Sequence, residues 1–506
     1  MSQIAPLLAF PVRKPRVHRQ ATEMRLSRRR QQGAIAIVFA LMLAVLIGFI
    51  GITLDVGRVY NRKSELQGIA DVAAVAAARQ LNGTSAGIDN ALAQAGAATS
   101  LLRYQYNQLA FTWDNGALSF SATPTGGWVD AATAQSAPAG LYYARVDTSK
   151  LAAPIGTIAL IFLPVLSDAF KSSEVAGIAV AGRATANVAP LAVCALSNNE
   201  AASRANPGPP ANVELVQYGF RRGVAYDLMQ LNPNGTAAEN FVIDPFSPPG
   251  VVGTMANVAP NFVGPYVCTG QLAMPRVFGG AITVARPFPL ASLFNQLNSR
   301  FDQYSGSLCS YATAPPDTNI KSYVAGTATP WMSVAPAGQA AQSTTAGGQL
   351  LTVADPLPRP AGTTAVMYGP LWTYARAVPY GSYVAGSAEP VAGYTPFATS
   401  AWSTLYGPSA PAAGVSYPSG VSTPYKAILG TNFLSPPLAN KGTANRRVLN
   451  VALLSCPVAP GALASATVLA IGKFMMTVPA TSTRLYAEFG GLAAESLLQG
   501  AVELYK

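Results

Sequence analysis

From Gly33 to Leu54 the chain reads GAIAIVFALMLAVLIGFIGITL, 22 residues with no charge and one hydroxyl. At 1.5 Å per residue a helix of that length covers about 33 Å, against a hydrocarbon core of about 30 Å. The pattern predicts a membrane-spanning helix. A buried soluble helix is the bland alternative, and it would show a polar face. A cleaved secretory signal would be shorter, with a small-residue cleavage site near its end. The first such triplet here, Ala74-Val75-Ala76, lies well beyond the apolar run.

Polarity then becomes periodic. Val59, Leu66, Ile69, Ala70, Ala73, Ala77 and Leu81 recur at helical spacing with no proline between Gly33 and Leu81, which predicts that the spanning helix continues out of the membrane as an amphipathic helix. Gly83 is its expected stop. Ile88, Leu92, Leu101 and Leu102 mark a second helix over 86–109. The Trp113-Asp114-Asn115-Gly116 stretch predicts a β-hairpin turn, with Phe120 on one face of the strand after it. Strands are expected at 141–146, 175–181 and 188–196, the last on an edge or starting after Pro190. The apolar segment 155–166 carries Pro164 and predicts a short buried helix, too broken for a second span.

Beyond an Asn/Ala/Pro-rich boundary at 198–210, strands are expected at 213–220, 225–231 and 241–243, with a turn at Asn232-Pro233-Asn234-Gly235. Leu290, Leu293, Phe294, Leu297, Phe301 and Tyr304 define an amphipathic helix, with Asn295, Asn298, Ser299 and Asp302 on its polar side. Residues 311–440 are Pro/Gly/Ser/Thr/Ala-rich with only seven charges. Trp331, Trp372, Trp402 and many tyrosines give this stretch the means to be an ordered insertion on a β scaffold. The strands 447–455, 466–478 and 484–489 and a closing helix over 492–505 complete the pattern, the strands finishing a sheet begun before residue 200. The fold class expected is α+β. Its parts are a basic cytoplasmic segment 1–32, the transmembrane helix 33–54, juxtamembrane helices 55–109, an α+β module 110–197, a β and loop-rich insertion 198–440, and C-terminal strands and helix 441–506.

Charge changes the picture in one respect. The net charge of +11 would by itself suggest a nucleic-acid partner. Residues 1–30, however, hold eight bases, among them Arg25, Arg28, Arg29 and Arg30, against the single acid Glu23. The other 476 residues are near neutral, and no segment interleaves bases with stacking aromatics. No nucleic-acid partner is expected. Arginines immediately before an apolar span place the N-terminus in the cytoplasm and the bulk of the chain outside. Met24 opens a compact version of the same start and is a candidate initiator.

The cysteines Cys194, Cys268, Cys309 and Cys456 all follow the span, where disulfides are permitted if that side is the periplasm. Four cysteines allow three pairings. Cys194 and Cys456 both close apolar strand-like runs, LAVC and VALLSC, which favours Cys194 with Cys456 and Cys268 with Cys309. A zinc site is the rival reading, but there is no CxxC spacing and no nearby histidine. The one histidine, His18, precedes the span. Histidine-dependent catalysis and His-ligated metal are therefore excluded from the body, and no phosphate-binding glycine loop is present. Catalysis would have to use carboxylates, with Glu214, Asp227, Glu239, Asp244, Asp302 and Asp317 as candidates for a glycosidase pair. No enzyme and no cofactor are expected.

The residues around the anchor carry a resemblance. The arginine-rich start, Gly33, the apolar span, then Asp55, Gly57, Arg58 and Tyr60, Leu66, and Ala70-Asp71 before an alanine-rich helix resemble the TadE/TadG-like proteins of the Tad (Flp) pilus assembly system. The likeness covers about 55 residues, from Arg28 to Gly83. Prepilins and TadE-like pseudopilins carry a glutamate five residues after the processing glycine. That position is Val38 here, so the resemblance points to the TadG branch. The Asp-x-Ser-x-Ser metal motif of von Willebrand A domains is missing, since Asp147-Thr148-Ser149 lacks the spacing. The resemblance implies a single-pass inner-membrane structural component that scaffolds or contacts pilus subunits from the periplasm, with Asp55, Arg58 and Asp71 facing other helices and self-association through the membrane-proximal helix. For Arg58, Arg62 and Lys63, holding the interface by snorkelling is an equal alternative. A minor pilin or pseudopilin, processed at Gly33, is the alternative function. A membrane-anchored cell-wall glycan hydrolase is the alternative of another class.

Overall fold

The computed structural model describes residues 32–505 apart from 82, 139, 152–154, 166, 184, 207, 209–210, 247–252, 276–280, 327–335, 356–359, 386, 388, 391, 408–416, 418–422, 494–497 and 499–501. His18, Met24, Arg25, Arg28, Arg29, Arg30 and Trp331 therefore lie outside the described residues, and Gly33 is described in its backbone only. The chain is α+β and divides into two compact units, Met1–Asn61 with Thr157–Glu174, and Arg62–Gly156 with Val175–Lys506.

The helix α1, Gln32–Ala78, contributes to both units. In the first unit it is long and apolar enough to cross a membrane. Its large side chains from Ile35 to Ile50 are exposed, Phe39 at 66% and Met42 at 68%, so this stretch packs into no protein core. The one hydroxyl of the run, on Thr53, donates back to the Phe49 carbonyl at 2.8 Å, which satisfies it without water. The rest of the unit is an antiparallel hairpin, Thr157–Ala159 against Ser172–Glu174, with 3-10 turns at Leu163–Val165 and Asp168–Phe170 in its loop. The buried helix expected over 155–166 does not form. Ile161 and Val165 are exposed at 60% and 85%, Pro164 sits in a 3-10 turn, and the backbone N–H groups a helix would use are engaged elsewhere.

In the second unit the last turns of α1 pack with α2, Ser85–Thr99, on a four-stranded antiparallel sheet. The strand order is Leu118–Ser121, Tyr143–Asp147, Ile178–Arg183, Val502–Tyr505. Alanines make the close approach: Ala70, Ala73, Ala77, Ala91 and Ala95 are fully buried with Leu81, Phe120 and Val146 in one cluster. At Gly177 a Cβ would lie 2.2 Å from the Leu66 carbonyl oxygen. The helix and the strand-leading segment can therefore meet only through glycine.

Three local expectations are corrected here. Asn115–Ala117 is a 3-10 turn capped by the Asp114 carboxylate, not a hairpin, and the strand after it pairs with Tyr143–Asp147, Phe120 opposite Ala144. The second helix stops at Thr99 rather than 109. The C-terminal helix is replaced where the chain is described by Val502–Tyr505, a strand beside Ile178–Arg183.

The remainder of this unit is built on a seven-stranded sheet. Leu191–Cys194, Asn240–Ile243, Ala281–Ala285, Leu463–Met476 and Val448–Leu454 pair in succession, and the last pairs back, in parallel, with the first. Five of its strands thus close into a ring in which each has a neighbour on both sides. Leu191–Cys194 starts after Pro190 and has a neighbour on both sides, so it is not an edge strand. Alternate residues feed two clusters, Leu191, Val193, Val451 and Leu453 in one, Ala192, Cys194, Ala452 and Leu454 in the other. Leu290–Asn298 is helical and continues as a 3-10 turn to Phe301. Its polar side is also covered: Asn298 and Ser299 are buried, and Asn298 exchanges two hydrogen bonds with Ala480.

Many of the described residues of 311–440 are buried. Trp372, Trp402 and Tyr406 pack edge to face within 6 Å. Arg447, fully buried, donates to the carbonyls of Met476, Thr477, Asn319 and Lys321. Its guanidinium lies over Phe301, Tyr323 and Tyr425. Aromatic area and carbonyl-directed side-chain bonds replace regular pairing as the means of ordering this stretch.

Candidate membrane-proximal site

The side chains of the family-like motif are at the polar end of the apolar run. Asp55, the first charge after the run, is fully buried. Its carboxylate accepts three successive backbone N–H groups, from Ile161 at 3.0 Å, Phe162 at 2.7 Å and Leu163 at 2.8 Å. Successive N–H groups aimed at one point form a nest that favours an anion. Arg58, one turn on, pairs with Asp55 at 3.9 Å and donates to the Ala159 carbonyl at 3.0 Å. Gly51, one turn before Asp55, faces Phe162, where a Cβ would sit 2.6 Å from the ring carbon Cγ. Gly57 has open space around it and Tyr60 is 73% exposed.

In the second unit the motif becomes core and clasp. Leu66 and Ala70 are fully buried. Asp71 accepts from Gln67 Nε2 at 2.8 Å, and the same amide reaches the Ile178 carbonyl at 2.9 Å, so this pair fixes the start of a sheet strand. Arg62 is buried, donates to the Ile155 carbonyl at 2.6 Å and lies over the Tyr104 ring. Lys63 donates to the Ala176 carbonyl. Arg58, Arg62 and Lys63 are thus all engaged by backbone carbonyls of this chain. Glu65 accepts the N–H groups of Gln105 and Tyr106, two residues with positive φ. Glu65 is not singled out by the sequence pattern, Gln67 enters it only as part of the Leu66-Gln67 motif, and the 160–165 loop enters it only within the expected helix 155–166. The one signal for the loop was an apolar run broken by Pro164.

The four cysteines are joined as Cys194–Cys456 and Cys268–Cys309, each with Cα atoms 5.6 Å apart. Cys194, Cys456 and Glu239 cluster within metal-ligating distance, but both sulfurs are committed to the disulfide. The six carboxylates considered for hydrolysis each have their own partners. Glu214 pairs with Arg221 at 2.7 Å and Arg204 at 3.3 Å, Asp227 with Arg484 at 2.8 Å, and Glu239 with Arg286 at 3.7 Å. Asp244 accepts from Asn257, Asp302 from Asn440, and Asp317 from Tyr425 and the Arg447 N–H. Among the described residues none of these contacts joins two of the six.

An exposed apolar helix of spanning length, followed by a clasped hairpin and a disulfide-joined α+β body, is the build of a membrane-anchored protein. Residues 33–80 match the family of putative Flp pilus-assembly TadE/G-like proteins. Comparison with curated proteins and with solved structures finds no match.

Proposed function

We propose that this chain is a single-pass inner-membrane structural component of Tad/Flp-type pilus assembly, of the TadG branch, with its N-terminus cytoplasmic and its bulk periplasmic. There it scaffolds or contacts pilus subunits, and it has no enzymatic role. The observation that carries this is the family match over residues 33–80, which covers the apolar span, Asp55 and the turns of α1 packed on the four-stranded sheet. The arginines at 25 and 28–30 support the orientation by the positive-inside rule, and two disulfides suit an oxidising compartment. Helix–helix contacts within the bilayer are the natural route to partners or to self-association.

The test is purification of the full chain from native membranes, with its partners identified and its N-terminus sequenced. Recovery with other pilus-assembly proteins or pilins, and an intact N-terminal segment, is the expected result. Cleavage after Gly33 with recovery in sheared filaments would assign it as a minor pilin instead. Recovery from the soluble fraction would overturn the membrane role.

A further inference from the structure

The 157–174 hairpin has an unusual surface. Ile161, Phe162, Val165 and Phe170 are exposed at 60%, 37%, 85% and 48% on one short loop. Contiguous apolar exposure of this kind marks an interaction surface. The loop's place along α1 identifies what covers it. Phe162 lies on Gly51, three residues before the apolar run ends at Leu54, and three residues of helix rise about 4.5 Å. Phe162 is therefore level with the last turn of the span, inside the hydrocarbon edge. The polar groups lie on the other side of this level. Arg58 holds the Ala159 carbonyl, and Tyr60 is exposed at the height where aromatic belts form.

We propose that this hairpin loop is a second membrane contact, an interfacial anchor whose Ile161, Phe162, Val165 and Phe170 side chains enter the outer half of the bilayer beside α1. It rests on α1 spanning a bilayer, and not on the pilus assignment. Asp55 makes this workable. A loop entering lipid must have its backbone N–H groups satisfied by protein, and the Asp55 carboxylate takes those of Ile161, Phe162 and Leu163. The device differs from an interfacial helix, because the loop is fixed to the span by a buried carboxylate rather than by its own periodicity.

The test uses the full chain in lipid nanodiscs, with single cysteines carrying a polarity-sensitive fluorophore. All native cysteines in the structure are in disulfides, so background labelling is low. Val165→Cys reports the loop, Leu43→Cys the span, and Ser343→Cys an exposed strand residue of the body. The expected result is blue-shifted emission at 165 and at 43, both quenched by lipid-borne quencher and protected from iodide, with 343 behaving oppositely. If 43 is lipid-buried while 165 matches 343, the loop proposal is overturned and the span stands. If 43 is itself water-accessible, the spanning helix and the proposal both fall. Protection of 165 only in native membranes, not in pure lipid, would assign the loop to a protein partner and overturn the lipid contact.

Discussion

The Asp55 carboxylate accepts the Phe162 backbone N–H at 2.7 Å across 107 residues of sequence. The neighbouring N–H groups of Ile161 and Leu163 converge on the same side chain. Asp55→Asn keeps the shape but turns an NH₂ group toward N–H donors. The expected outcome is loss of amide-exchange protection at residues 161–163 and faster proteolysis within 157–174. Membrane insertion of α1 should be unchanged. Equal protection in the variant and the parent would remove Asp55 from the clasp.

Gly51 and Gly57 make a controlled pair on the same helix. A Cβ at Gly51 would stand 2.6 Å from the Phe162 ring, while one at Gly57 meets nothing within 4 Å. Gly51→Ala should therefore displace the hairpin, with the same exchange signature as Asp55→Asn. Gly57→Ala should leave it in place and favour the helix by about 1 kcal/mol from backbone propensity alone. The two variants behaving alike in exchange would contradict the close packing.

The disulfides should differ in weight. The Cys268–Cys309 bond closes 41 residues and the Cys194–Cys456 bond closes 262. Chain entropy alone gives about 4 kcal/mol for the first and more than 5 kcal/mol for the second. Cys194 and Cys456 also flank strands of the closed ring, so their loss exposes buried sheet. Paired Cys→Ser variants compared by thermal unfolding of the full chain should show the Cys194/Cys456 pair as the more damaging. The reverse order would mean that the unfolded chain is already restrained across the ring.

Arg447 tests how the aromatic-rich stretch is held. Its guanidinium donates to four carbonyls and lies over three rings. Lysine keeps the charge but not the planar fork. Arg447→Lys is expected to lose about 3 kcal/mol, since it leaves buried carbonyls unpaired. Urea unfolding of the variant reads this directly, and a loss below about 1 kcal/mol would show that water replaces the fork.

How much of this was legible in the sequence follows from what each element uses. The span, the amphipathic continuation of α1, and strands such as 191–194 and 448–454 announce themselves through period and apolar density. The clasps do not. Asp55 and Glu488 each hold three successive N–H groups of a distant segment, and a lone acid carries no local trace of such a partner. The Asp114-Asn115-Gly116 turn was misread because Asp114 caps a 3-10 turn as readily as the residues flank a hairpin. The 155–166 segment departs from its expected helix because its apolar residues divide, Ile155 and Ile158 buried but Ile161, Phe162 and Val165 exposed, and composition alone does not show that division. The C-terminal strand was hidden because Leu497, Leu498, Ala501 and Leu504 also fit a helical period.

The last prediction concerns pH. Burial pushes the Glu488 carboxyl up to about 7, although the N–H groups of Ala375, Tyr374 and Thr373 pull it the other way. Burial also raises Asp355 to about 6 against bonds from Thr352. Unfolded, both would titrate near pH 4. The folded state therefore holds more protons than the unfolded chain between about pH 4 and 7. By linkage, the stability these groups contribute is fully present below the unfolded values and is lost as pH rises through 6 and 7. For Glu488 the shift corresponds to about 3 kcal/mol. No imidazole obscures this window in the body, because the single histidine is His18. The melting temperature of the detergent-solubilised full chain is expected to rise as pH falls from 8 to 5.5. Glu488→Gln, which holds the side chain neutral at every pH, should flatten that slope. A parent protein that gains stability toward pH 8, or a variant with an unchanged slope, would show that Glu488 is ionised in the fold and that its three N–H donors outweigh its burial.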